Sequence, residues 1–109
     1  MRVTSAIAAM LMMVSATAVA ETITVTATDF DFEPHTISVN KGQTLTLVLD
    51  NHGALSHNLH IPGLDVEMTS IQTDGTTRHT FTPETAGTFD FYCAVPGHKQ
   101  AGMKGTLKV

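Results

Sequence analysis

The chain has 109 residues, with six Lys and Arg against ten Asp and Glu, for a formal net charge of −4. No basic surplus recommends a nucleic-acid partner, and a mildly acidic balance suits a basic protein surface instead. The length suffices for one small domain, and a single cysteine excludes an internal disulfide.

Residues 1–20 read MRVTSAIAAMLMMVSATAVA. Arg2 is a basic n-region, Ala6 to Val14 an uncharged apolar stretch, and Ala18-Val19-Ala20 a small-x-small cleavage signal. This is the layout of a secretory signal peptide, and its apolar run is too short to span a bilayer. Cleavage after Ala20 and export to a bacterial periplasm are expected. Removing 20 residues from 109 leaves 89, and losing Arg2 takes the charge from −4 to −5. No later apolar run approaches membrane length, so residues 21–109 are expected to be one soluble, monomeric domain without stable membrane insertion. Four of the six methionines fall in the leader, which leaves Met68 and Met103.

Thr22 to Asp29 alternates, with Ile23, Val25 and Ala27 on one face and threonines on the other. His35 to Asn40 repeats the pattern through Ile37 and Val39. After a Lys41-Gly42 turn, Gln43 to Asp50 sets Leu45, Leu47 and Leu49 on one face. Period-two patterning rich in Thr, Val and Ile predicts half-buried antiparallel strands. Ser56–Ile61, Thr77–Thr82, Thr88–Cys93 and Gly105–Val109 continue the series. Residues 62–77 show no clear period and read as a long connection with a turn at Asp74-Gly75. No segment after the leader sustains a helical period. About seven short strands in under ninety residues predict an all-β Greek-key sandwich or barrel.

Exported proteins normally pair their cysteines. Cys93 has no partner, so it is an intermolecular bridge, a reactive thiol, a buried bystander or a metal ligand. Strand phase narrows the choice. Phe89 and Phe91 share a face with Cys93, and His57 shares one with Leu59 and Ile61, whereas Asn58 and His60 face away. Counting back by twos from Val109 and Leu107 reaches Met103. His98 lies in the loop between Cys93 and Met103. A thiolate, two imidazoles and a distant thioether form a donor set suited to copper that cycles between oxidation states. Zinc prefers a closed set without a weak thioether. His35, His52, His60, His79 and Met68 have no assigned role beyond packing or surface.

Cys93-x4-His98-x4-Met103, with an alternating strand before it and Gly105 and a terminal strand after it, resembles the ligand loop of the type 1 blue copper proteins, the cupredoxins. His57-Asn58 after a Leu-rich strand is similar to the family's first-histidine segment. The loop length is closer to rusticyanin and sulfocyanin than to plastocyanin, and the likeness extends over nearly all of residues 21–109. It implies one type 1 copper ion, with His57, Cys93 and His98 in a trigonal plane and Met103 axial. It implies that Asn58 ties the His57 strand to the cysteine loop by hydrogen bonds. It further implies that His98 is the electron port, inside a docking patch of Ala94, Val95, Pro96, Ala101 and Gly102. The expected function is one-electron transfer between redox proteins, such as a c-type cytochrome, a copper enzyme or a terminal oxidase. The alternative is a periplasmic copper-binding or trafficking protein. An enzyme is not expected, because no second ligand cluster of clear spacing is present.

Overall fold

A computed structural model describes residues 20–109, so the leader read at 1–20 lies, but for Ala20, outside the described residues. Nine strands occur among them: β1 (Glu21–Thr28), β2 (Asp31–Glu33), β3 (Thr36–Ser38), β4 (Leu45–Asn51), β5 (His57–Ile61), β6 (Val66–Ile71), β7 (Thr76–Phe81), β8 (Thr88–Tyr92) and β9 (Lys104–Lys108). They form a four-stranded sheet ordered β2-β1-β4-β7 and a five-stranded sheet ordered β3-β9-β8-β5-β6.

The core is the space between the two sheets. Val25, Ala27, Leu45, Leu47 and Leu49 point in from the first sheet. Ile37, Leu59, Ile61, Val66, Met68, Phe91 and Leu107 meet them from the second. Alternation along each strand follows from the pleat, which sends successive side chains to opposite faces. Burying each Leu, Val or Phe contributes about 1.5–3 kcal/mol, so this shared layer is what holds the two sheets face to face.

The all-β sandwich is the expected class, but the strands differ from the sequence reading in three ways. First, the sheets are mixed: β1 runs parallel to β4 from Glu21↔Leu45 to Ala27↔Asn51, and β3 runs parallel to β9. Alternation along a strand carries no information about its partner's direction. The parallel pairs arise because the chain crosses to the other sheet between β2 and β3 and returns with β4. Second, residues 62–77 are not an unpatterned connection. They hold a 3₁₀ turn at Pro62–Leu64 and then β6, which buries Val66 and Met68. The turn uses Pro62 to start and Asp65 in the left-handed region (φ 57°) to stop. Third, β2 is only three residues long, too short for a periodic signal.

Two irregularities position one end of the sandwich. The β5–β6 register shifts between His57 and Leu59, a bulge that re-aims the start of β5. The β8–β9 pair is antiparallel and registers Tyr92 opposite Lys104, so the loop joining them returns on itself.

Candidate metal centre

Cys93 follows β8 directly, and its N–H donates to the Met103 carbonyl at 3.1 Å. The intervening loop is a coil of tight turns. His98 N–H reaches Val95 O at 3.0 Å, Ala101 N–H reaches Gly97 O at 3.1 Å, and Met103 N–H reaches His98 O at 3.1 Å. Gly97 (φ 85°) and Gly102 (φ 107°) take left-handed conformations that side chains resist. This coil turns the His98 ring back toward Cys93. Both Cys93 and Met103 are fully buried and belong to the hydrophobic core.

His57 opens β5 and is fully buried. Its Nδ1 stands 3.1 Å from His98 Nδ1 and 3.9 Å from Cys93 Sγ, and His98 Nδ1 stands 3.5 Å from the same sulfur. All three ligand atoms lie within 4.8 Å of one another. With metal–nitrogen bonds of about 2.0–2.1 Å and a metal–sulfur bond of about 2.3 Å, a trigonal plane has edges of about 3.6 Å (N to N) and about 3.8 Å (N to S). The observed edges of 3.1, 3.5 and 3.9 Å come within about 0.5 Å of these, so the three donors stand close to the spacing of a trigonal metal site. Its donor chemistry, thiolate and imidazole with a buried thioether nearby, suits copper.

The surroundings hold these donors in place. Asn58 is buried; its Oδ1 accepts the Ala94 N–H at 2.6 Å and its Nδ2 donates to Ser70 Oγ at 2.9 Å. It thus spans from β5 to the residue after Cys93. His57 Nε2 donates to Asp29 Oδ1 at 2.9 Å. Asp29 also accepts the Ala54 and Leu55 N–H groups, at 3.1 and 3.2 Å. The hydrogen bond from His57 holds the Asp29 carboxyl below its ordinary 3.8, with the Leu55 and Ala54 amides and then the charge attraction of His57 adding to it against partial desolvation.

His98 is 7% exposed, and Phe30 packs its ring edge-on against the imidazole with centroids 5.2 Å apart. Around it Ala94, Pro96, Ala101 and Gly102 are exposed and Val95 half-buried. The large exposed apolar side chains among the described residues are Phe30 (42%) and Leu55 (45%). The remaining histidines lie apart from the triangle. His60 faces Tyr92 with ring centroids 6.3 Å apart, His52 meets Asp50 at 2.9 Å, and His79 lies beside Phe81. Met68 is a core residue of β6.

Asp29, Phe30 and Gly53 escaped the sequence reading. Asp29-Phe30 looks like any strand-ending turn, and nothing in its spacing points to residue 57. Gly53 is needed by close approach: a β-carbon there would lie 2.5 Å from Asp29 Oδ1 and 2.8 Å from His57 Nε2.

A two-sheet Greek-key sandwich with a Cys/His/Met pole defines a class of fold, and the comparisons agree with it. The model of the cupredoxin-like domain matches residues 2–109, so the chain belongs to the cupredoxin-like family. Among solved structures, it resembles a dithionite-reduced auracyanin from Roseiflexus castenholzii at 24% identity and TM-score 0.74, covering 81% of this chain and 95% of that one. Auracyanin A from Chloroflexus aurantiacus, described as a "blue" copper protein, is 24% identical with TM-score 0.72, covering 84% and 99%. Blue copper oxidase from Nitrosomonas europaea is 22% identical with TM-score 0.75, covering 84% of this chain but 39% of that one. At such identities the likeness is one of fold. No curated protein matches the sequence.

Proposed function

We propose that residues 21–109 are a single-domain, exported blue copper protein that carries one electron between redox partners in the periplasm. His57, Cys93 and His98, with Met103, would hold one type 1 copper ion. The observation that carries this reading is the buried triangle of two imidazole Nδ1 atoms and one cysteine sulfur, drawn from β5 and the β8–β9 loop. Copper bound there supplies a one-electron couple between Cu(I) and Cu(II).

The protein's own residues do the rest. Asn58 and Asp29 fix the ligand-bearing segments, so the donor set need not rearrange between oxidation states. Full burial of His57, Cys93 and Met103 keeps water from the thiolate and leaves no open position for a substrate. His98 lies nearest the surface, amid Ala94, Val95, Pro96, Ala101, Gly102 and Phe30. A small patch of that kind favours brief, weak docking, which is what a carrier requires. The partner classes that fit are a c-type cytochrome, a copper enzyme or a terminal oxidase. Copper delivery is the competing reading, and burial of the ligands opposes it because a buried set exchanges slowly.

The test is voltammetry of the copper-loaded protein beside a transfer assay. A reversible one-electron wave with copper retained against a chelator for many minutes supports the carrier. Rapid loss of the metal without a reversible wave would establish trafficking instead.

A further inference from the structure

Asp29 lies one residue beyond β1 and belongs to none of the segments that bear ligands, yet it is hydrogen-bonded to one of them. A carboxylate can only accept, so the 2.9 Å contact assigns the proton to His57 Nε2. That leaves the Nδ1 lone pair directed at Cys93 Sγ and His98 Nδ1.

The contact is built by a dedicated loop. Asn51, fully buried at the end of β4, donates from Nδ2 to Leu55 O at 2.9 Å and to Ile71 O at 3.0 Å. Its Oδ1 accepts the Gly53 N–H at 2.8 Å, and the Thr73 hydroxyl donates to Gly53 O. So braced, the loop points the Ala54 and Leu55 amides at Asp29, and Gly53 leaves room for the carboxylate to reach the imidazole.

We infer that Asp29 is a positioning residue that fixes the tautomer of His57 and, through its negative charge, sets the reduction potential of the site low. This rests on the copper reading above. A fixed negative charge hydrogen-bonded to a ligand favours the more positive oxidation state, so Asp29 stabilises Cu(II) over Cu(I). Asp29→Asn keeps the shape and an acceptor oxygen but removes the charge, while Asp29→Glu keeps the charge.

The experiment measures the potential of the copper-loaded wild type and both variants, with histidine side-chain nitrogen NMR of the metal-free wild type and of Gly53→Ala. Asp29→Asn is expected to retain the visible band and favour Cu(I) about tenfold, a rise of about 59 mV for one electron. Asp29→Glu is expected to restore most of the wild-type value. In the metal-free protein, the His57 Nε2 proton is expected to exchange slowly with water, and faster in Gly53→Ala. An Asp29→Asn potential equal to or below that of the wild type overturns the inference while leaving the copper reading intact. If no variant, nor the wild type, takes up copper with an intense band, the copper reading fails and the tuning role falls with it. The Asp29 tether is then judged by the proton exchange alone, where rapid exchange in the wild type refutes it.

Discussion

A methyl group on residue 105 would lie well inside van der Waals contact of Phe91 Cζ and of the His35 carbonyl oxygen. Phe91 is fully buried two residues before Cys93, so the approach of β9 to β8 depends on the absence of a side chain there. Gly105→Ala is expected to destabilise the fold by about 1–3 kcal/mol, read as a lower urea midpoint, because overpacked cores force backbone shifts. The proposed ligands are tested by colour and potential. Cys93→Ser is expected to abolish intense visible absorption, since only a thiolate gives that charge transfer. Persistence of the band would remove Cys93 from the site. Met103→Leu is expected to retain copper with a shifted reduction potential, because an axial thioether tunes the couple without anchoring the ion. An unchanged potential would show that Met103 is not axial. These side chains could be singled out from the chain alone because each sits at an inward phase of a strand or in the loop between two such positions. Asp29 could not, because its partner is 28 positions away and joins it through a loop fold that local pattern does not encode.

At the scale of elements, the centre is held by the start of β5 and the loop between β8 and β9, and Asn58 is the brace between them. Its amide oxygen accepts the Ala94 N–H beside the thiol-bearing residue. Asn58→Ala is expected to lower copper affinity about 10–100-fold, the usual effect of removing a group that orients a ligand, measured by competition with a chelator. An affinity within threefold or so of the wild type would deny it that role. Alternation of apolar with polar residues was enough to find β1, β3, β4, β5, β7, β8 and β9, as with Ile23, Val25 and Ala27 in β1 and Leu45, Leu47 and Leu49 in β4. It failed for β6, where Val66 and Met68 are buried but Ser70 and Ile71 break the phase, and β5 opposite it is bulged. It could not reveal the parallel β1–β4 and β3–β9 pairs, because pairing direction depends on how the chain crosses between sheets.

Across the whole molecule, two sheets that pack through one continuous apolar layer place the cysteine and methionine at a pole where the strands end. The core therefore supports the site and the site supports the core, since Cys93 and Met103 belong to both. Copper binding to the folded chain alone should stabilise it by linkage, about 4 kcal/mol when free metal exceeds the dissociation constant a thousandfold. Calorimetry is expected to show a higher Tm with copper than without, and an equal Tm would mean that the folded site does not hold the ion selectively. Most directly, the visible and electron paramagnetic resonance spectra of the protein loaded with equimolar Cu(II) test whether His57, Cys93 and His98 share one ion. An intense thiolate-to-copper band with narrow copper hyperfine splitting at one ion per chain is the expected result. A colourless complex with the wide splitting of ordinary tetragonal Cu(II) would contradict it.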